Sequence, residues 1–198
     1  MLSIKSGNGF VAGTLVHTRG SQAPIESIHI GDLVLSQNET TREKTYKRVI
    51  NTQAFESQEI MSIDILKDGE RFGVVVTSNH LFWLKNVGWT ATNGLDTGDE
   101  LVLPDESCCE IVNVAALYPT NIDGVGWMDG VFHCYRGDGL GRTVDLRNDS
   151  VKFNYDEVPY PGKSYQELTS FLTRKVFKIE IEDFHNFYMG QRGIFVHD

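Results

Sequence analysis

The sequence predicts an all-β domain. Three features carry that prediction: apolar residues recur at every second position, turn-forming pairs separate the apolar runs, and helical periodicity is scarce. Val34-Leu35 and Lys47-Arg48-Val49-Ile50 read as short strands. The runs Ile60 to Leu66 and Phe72 to Val76 flank Asp68-Gly69, a pair that tolerates the positive φ of a tight hairpin. Leu101-Val102-Leu103 and Ile111-Val112-Asn113-Val114 follow. In Phe177-Lys178-Ile179-Glu180-Ile181-Glu182 the alternation sends one face to a core and the other to water. Ile30-Gly31-Asp32-Leu33-Val34-Leu35 also recurs in outline as Thr97-Gly98-Asp99-Glu100-Leu101-Val102-Leu103, which suggests two related halves. From about Tyr118 to Phe171 turn formers interrupt the pattern, so residues 118–171 read as an insertion between framework strands. Within it only Ser164 to Leu172 reads as a short helix, with Ser164 and Glu167 spaced as a capping box.

Composition narrows the function. The chain has 198 residues, 40% of them hydrophobic, enough to bury a core and too many for a disordered chain. Its net charge of −9 without basic clusters argues against a nucleic-acid partner. No apolar run is long enough to cross a bilayer, and Met1-Leu2-Ser3-Ile4-Lys5 lacks the apolar middle of a signal peptide, so a soluble, membrane-free module is expected. Cys108 and Cys109 are adjacent and Cys134 is left over, which disfavours a disulfide framework. No CxxC accompanies His133-Cys134, so a zinc site is not expected. Gly137 to Gly141 lacks the Lys-Ser/Thr of a phosphate-binding loop. Neither a metal nor any other cofactor is expected. His17 and His29 read as strand residues facing water, and Trp83, Trp89, Phe82, Phe184 and Phe187 as core.

Four segments carry residues that make chemical sense together: Gly7-Asn8-Gly9-Phe10-Val11-Ala12-Gly13-Thr14-Leu15-Val16, Val76-Thr77-Ser78-Asn79-His80, Asp183-Phe184-His185-Asn186-Phe187-Tyr188, and Ile194-Phe195-Val196-His197-Asp198. With Ile30 to Leu35, these blocks in this order resemble the Hint superfamily of inteins and hedgehog autoprocessing domains. Within it the nearest likeness is to bacterial intein-like and pretoxin Hint domains, mini-inteins without a homing endonuclease. The resemblance covers residues 9–198 apart from the insertion and leaves residues 1–8 as an upstream, extein-like flank. It implies a pseudo-twofold horseshoe of short strands whose two ends meet at one site.

The resemblance also implies an autocatalytic, single-turnover chemistry. A Cys or Ser at the first position attacks the preceding carbonyl and converts the upstream peptide bond into an ester or thioester. His80 would protonate the leaving nitrogen, while Thr77 and Asn79 would hydrogen-bond the carbonyl or the oxyanion. A terminal Asn would cyclise to break the downstream bond, supported by His185 and His197. Asp183, two residues before His185, either orients it or is a solvated turn residue.

Two positions depart from the pattern. Gly9 stands where the nucleophile belongs and offers none. Asp198 stands where the terminal Asn belongs and would have to cleave through an anhydride. Splicing should therefore fail at the first step and be crippled at the last. Deliberate substitution, natural decay, and hydrolysis of an Asn-derived succinimide to Asp198 all account for this. The resemblance implies that the partners are the domain's own flanking segments, a toxin domain downstream among them, and that the module is a monomer within a larger bacterial protein, with secretion left open. The reading of a different class is a non-catalytic β scaffold whose inserted region binds a protein.

Overall fold

The computed structural model describes residues 7–129, 140–161 and 170–198. Seventeen strands run through these residues in chain order: β1 Phe10–Val11, β2 Leu15–Thr18, β3 Ser21–Pro24, β4 Leu33–Gln37, β5 Lys44–Lys67, β6 Glu70–Thr77, β7 Leu81–Leu84, β8 Gly88–Ala91, β9 Glu100–Val102, β10 Cys108–Ala116, β11 Tyr118–Pro119, β12 Val125–Asp129, β13 Leu140–Asp145, β14 Lys152–Pro159, β15 Thr173–Ile181, β16 Asn186–Met189 and β17 Ile194–His197. Among the described residues the only helical pieces are single 3-10 turns at Ile25–Ser27 and Thr92–Gly94.

Thirteen strands form one antiparallel sheet that coils on itself through β5. The first part of that long strand pairs with β4 and β15, and its last part pairs with β6 and β10. The enclosed core holds Phe10, Val16, Val34, Ile63, Val76 and Leu101, all without solvent exposure. The predicted hairpin turns at Asp68 and Gly69, with φ of 51° and 82°, which places Lys67 opposite Glu70.

The repeated Gly-Asp pattern is a structural repeat. His29 N and Asp96 N each donate to the carboxylate three residues on, Asp32 and Asp99, at 2.8 Å. Gly31 N reaches Val49 O at 2.9 Å and Gly98 N reaches Ile111 O at 2.8 Å. The two glycines sit at φ of 100° and 96°, where a side chain would be strained. His29 accordingly lies in the exposed turn, not on a strand, while His17 is in β2 with Nε2 2.9 Å from Gly190 O.

The stretch expected to be irregular contains regular structure. β11, β12, β13 and β14 form a separate four-stranded antiparallel sheet. In β12 no alternation shows because Val125, Gly126, Trp127 and Met128 are all buried, which removes the polar face of that strand. The small sheet joins the framework through a second apolar cluster that includes Val11, Ile60, Val75, Leu117, Met128 and Val144. It is also pinned by Arg142 Nη1, 2.6 Å from the fully buried Asp64 Oδ2. The helix expected over Ser164 to Leu172 lies largely outside the described residues, as do His133, Cys134 and Gly137 to Gly139.

Candidate functional site

Gly9 to Val11 and Asp198 both lie against β15, four residues apart along it, at Phe177 and at Ile181. β1 inserts between β15 and β6, with Phe10 opposite both Phe177 and Val76. At the head of this strand Gly9 N donates to Thr77 Oγ1 and Thr77 N donates to Gly9 O, both at 3.1 Å. Farther along the same β15, Ile181 N donates to Asp198 Oδ2 at 2.7 Å. β17 carries the tail there through its pairing with β16 and with Phe82 of β7.

His80 lies between these ends. Its ring meets that of Phe10 edge-on at 4.2 Å and sits 5.9 Å from Phe82. The side chain is buried and neither ring nitrogen makes a well-formed hydrogen bond, although the His197 main chain lies near enough to work against the fall in its pKa. Burial, reinforced by the positive charges of Lys178 and His197, depresses its pKa to about 3, so the imidazole is neutral with an uncommitted lone pair. The Thr77–His80 turn, in which His80 N donates to Thr77 O at 3.4 Å, points its two central residues to solvent. Ser78 and Asn79 are therefore exposed.

At the other end, Asp198 is the hub. His185 Nδ1 lies 3.3 Å from Asp198 Oδ2, and His197 Nδ1 lies 3.5 Å from Asp198 Oδ1 and 3.0 Å from its main-chain oxygen. Burial works to raise the Asp198 pKa, but the hydrogen bonds from His197 and Ile181 N and the two imidazoles outweigh it, and the carboxyl titrates below its usual range. The hydrogen bond to Asp198 in turn raises His197. The two imidazole rings are nearly parallel, 6.5 Å apart, and Trp89 closes the far side of His197 at 5.2 Å. Trp89 is half-buried and was read as core; nothing in its spacing announced a neighbour in the last strand.

Asp183 does not join this cluster. It sits in a turn at φ of 65° and pairs with Lys47 Nζ at 2.7 Å, so its carboxylate is engaged across to β5 and not with His185. Asn186 is a buried tie: its Oδ1 accepts from Ser36 Oγ and Gln37 N, and its Nδ2 donates to Gln37 O and to Phe184 O in the turn before it. Of the cysteines, Cys109 is buried, with its thiol pushed up to about 12 by desolvation, and is chemically quiet. Among the described residues no three His, Cys, Asp or Glu side chains are arranged to hold a metal, and no helix is long and apolar enough to cross a membrane.

The sequence model of the pretoxin Hint domain family matches residues 15–139. The chain belongs to the pretoxin Hint domain family. Solved structures agree with this assignment at the level of fold. The Hint domain is similar to the bacterial intein-like domain from Clostridium thermocellum, with a TM-score of 0.63 and 22% identity over 98% of this chain and 100% of that one. It is similar to the gp41-1 intein, with a TM-score of 0.56 and 19% identity over 98% and 100% of the two chains. The DnaB intein from Synechocystis sp. PCC 6803 aligns with a TM-score of 0.59 and 14% identity over 96% and 98%. No curated protein matches the sequence.

Gly9 has a packing constraint that its sequence position alone did not show. A Cβ at this residue would stand 2.4 Å from the Phe177 carbonyl oxygen, so any side chain there requires β1 and β15 to part locally.

Proposed function

We propose that this Hint domain is a self-processing element, a single-turnover catalyst for cleavage of peptide bonds at its own ends, with the upstream step disabled at Gly9. The observation that carries the reading is His80: a buried, neutral imidazole without a well-formed hydrogen bond, packed on the residue that follows Gly9 and close to the tail. An orphaned buried ring nitrogen costs stability, and a fold retains that cost where the atom has work to do. In this reading a nucleophile restored at position 9 gives its proton to the neutral imidazole of His80, which passes it to the nitrogen of the upstream bond, while Thr77 hydrogen-bonds the junction. His197 and His185 act on the downstream carbonyl. The substrates are the flanking segments, with a toxin domain downstream suited to the family.

Two versions carrying flanking segments test it. Asp198→Asn alone is expected to release the downstream segment, seen on a denaturing gel and by mass spectrometry. Adding Gly9→Cys is expected to produce upstream cleavage or joined flanks that His80→Ala abolishes. Intact precursor alone in both versions overturns the reading.

The close approach of the Phe177 carbonyl to Gly9 favours a second reading, a scaffold that no longer processes anything. In the Asp198→Asn version, substituting His80, His185 and His197 separates the two, since a scaffold is indifferent to their loss.

A further inference from the structure

The segment entering the site from upstream is itself held. Gly7 is buried although it lies outside any strand, and its N–H donates to Gln58 Oε1 at 3.0 Å. Gln58 is 8% exposed, and its Nε2 is occupied by Glu56 O at 2.9 Å, which fixes the amide with its oxygen toward Gly7. A Cβ on Gly7 would fall 2.2 to 2.6 Å from three atoms of the Phe55 ring, so the residue lies flat against that ring. Two residues on, Gly9 is closed off in the same way by the Phe177 carbonyl.

Phe55 and Gln58 face the same residue because of an irregularity in β5. Residues three apart on a regular strand point to opposite faces. Here Phe55 pairs with Val176 and Gln58 with Arg174, so three steps on β5 match two on β15. Ser57, at φ of 53°, takes up the extra residue. Such a bulge re-aims side chains beside functional sites.

We infer that the bulge in β5 forms a recognition subsite for the polypeptide immediately upstream of Gly9, one that admits only glycine at position 7. The ligand is an extended peptide segment with glycine two residues before position 9: the Phe55 ring excludes a side chain at that residue and Gln58 captures its N–H. Asn8, between the glycines, keeps partial exposure. The subsite stands on its own geometry; its consequence, selection of the upstream sequence that can be processed, rests on the self-processing reading.

Amide hydrogen exchange on the full chain tests the subsite without any processing. The residue-7 amide is expected to exchange at least tenfold more slowly than a free peptide amide. Gly7→Val and, separately, Gln58→Leu are expected to remove that protection while the strand amides of β6 keep theirs. Phe55→Ala combined with Gly7→Val is expected to restore it. An unprotected residue-7 amide in the parent chain, or full protection in Gly7→Val, overturns the inference. In the flanked Gly9→Cys, Asp198→Asn version, Gly7→Val is expected to slow upstream cleavage at least tenfold and Phe55→Ala to rescue it. Unchanged cleavage in Gly7→Val also overturns the subsite's role. If no version cleaves, the self-processing reading falls and the exchange measurement still decides the subsite.

Discussion

The two halves of the framework share a backbone and differ in what they put on it. Thr14 N donates to Val11 O at 3.3 Å and His80 N donates to Thr77 O at 3.4 Å. The Thr14 carbonyl then accepts from Ile25 N at 2.8 Å, and the His80 carbonyl accepts from Thr92 N at 2.9 Å. A 3-10 turn, a positive-φ glycine and an Asp-capped turn follow in both. Yet at the equivalent position one half places a threonine and the other a buried histidine whose ring makes no well-formed hydrogen bond. The hydrogen-bond skeleton satisfies the chain in either half, whereas the imidazole adds nothing that the skeleton needs. The contrast is what supports the role proposed for His80.

Breaking the feature common to both halves should cost most. Phe10 joins them, packing on His80, Phe82 and Phe187 while pairing with Val76. Phe10→Ala is expected to lose about 3–5 kcal/mol in chemical denaturation. Next comes the difference itself. The folded pKa of His80, about 3, lies below its ordinary 6.5, so the unfolded chain takes up a proton first as pH falls. Its contribution is full above 6.5 and is lost as pH drops toward 3, which amounts to about 2 kcal/mol between pH 7 and pH 5. His80→Phe should flatten that part of the stability curve, and Thr14→Val should leave it unchanged. His197 has the opposite sign: its pKa is raised, so its contribution holds below 6.5 and fades as pH rises through the folded value. An effect of similar size sharpens the symmetry. Gly31→Ala and Gly98→Ala meet no neighbouring atoms, so each should cost only the backbone strain of positive φ, about 1–3 kcal/mol, and equally in thermal unfolding.

Much of this architecture was legible because it is written in local periodicity and turn chemistry. The alternation in Phe177 to Glu182 became β15, Asp68-Gly69 became the hairpin, and the two Gly-Asp turns became equivalent. Part of the small sheet was hidden for a physical reason: a strand buried on both faces, such as Val125 to Met128, has no polar face to show a period of two, whereas β14 does alternate, with Phe153 and Tyr155 between exposed residues. Asp183 was ambiguous because its partner, Lys47, is remote in sequence. The Phe55 and Gln58 pair was invisible because their spacing reads as opposite faces until the bulge is known.

The amino-acid sequence by itself determined the all-β class, the duplicated turns and the set of candidate residues, since strand periodicity, glycine at positive φ and Asp-capped turns act over a few neighbours. Only the tertiary structure decided which candidates meet. It left the His80 ring without a well-formed hydrogen bond, tied Asp198 to Ile181, gave Asp183 to Lys47 and pressed two glycines against Phe55 and Phe177. Burial and long-range pairing set those contacts, and both are properties of how distant strands pack.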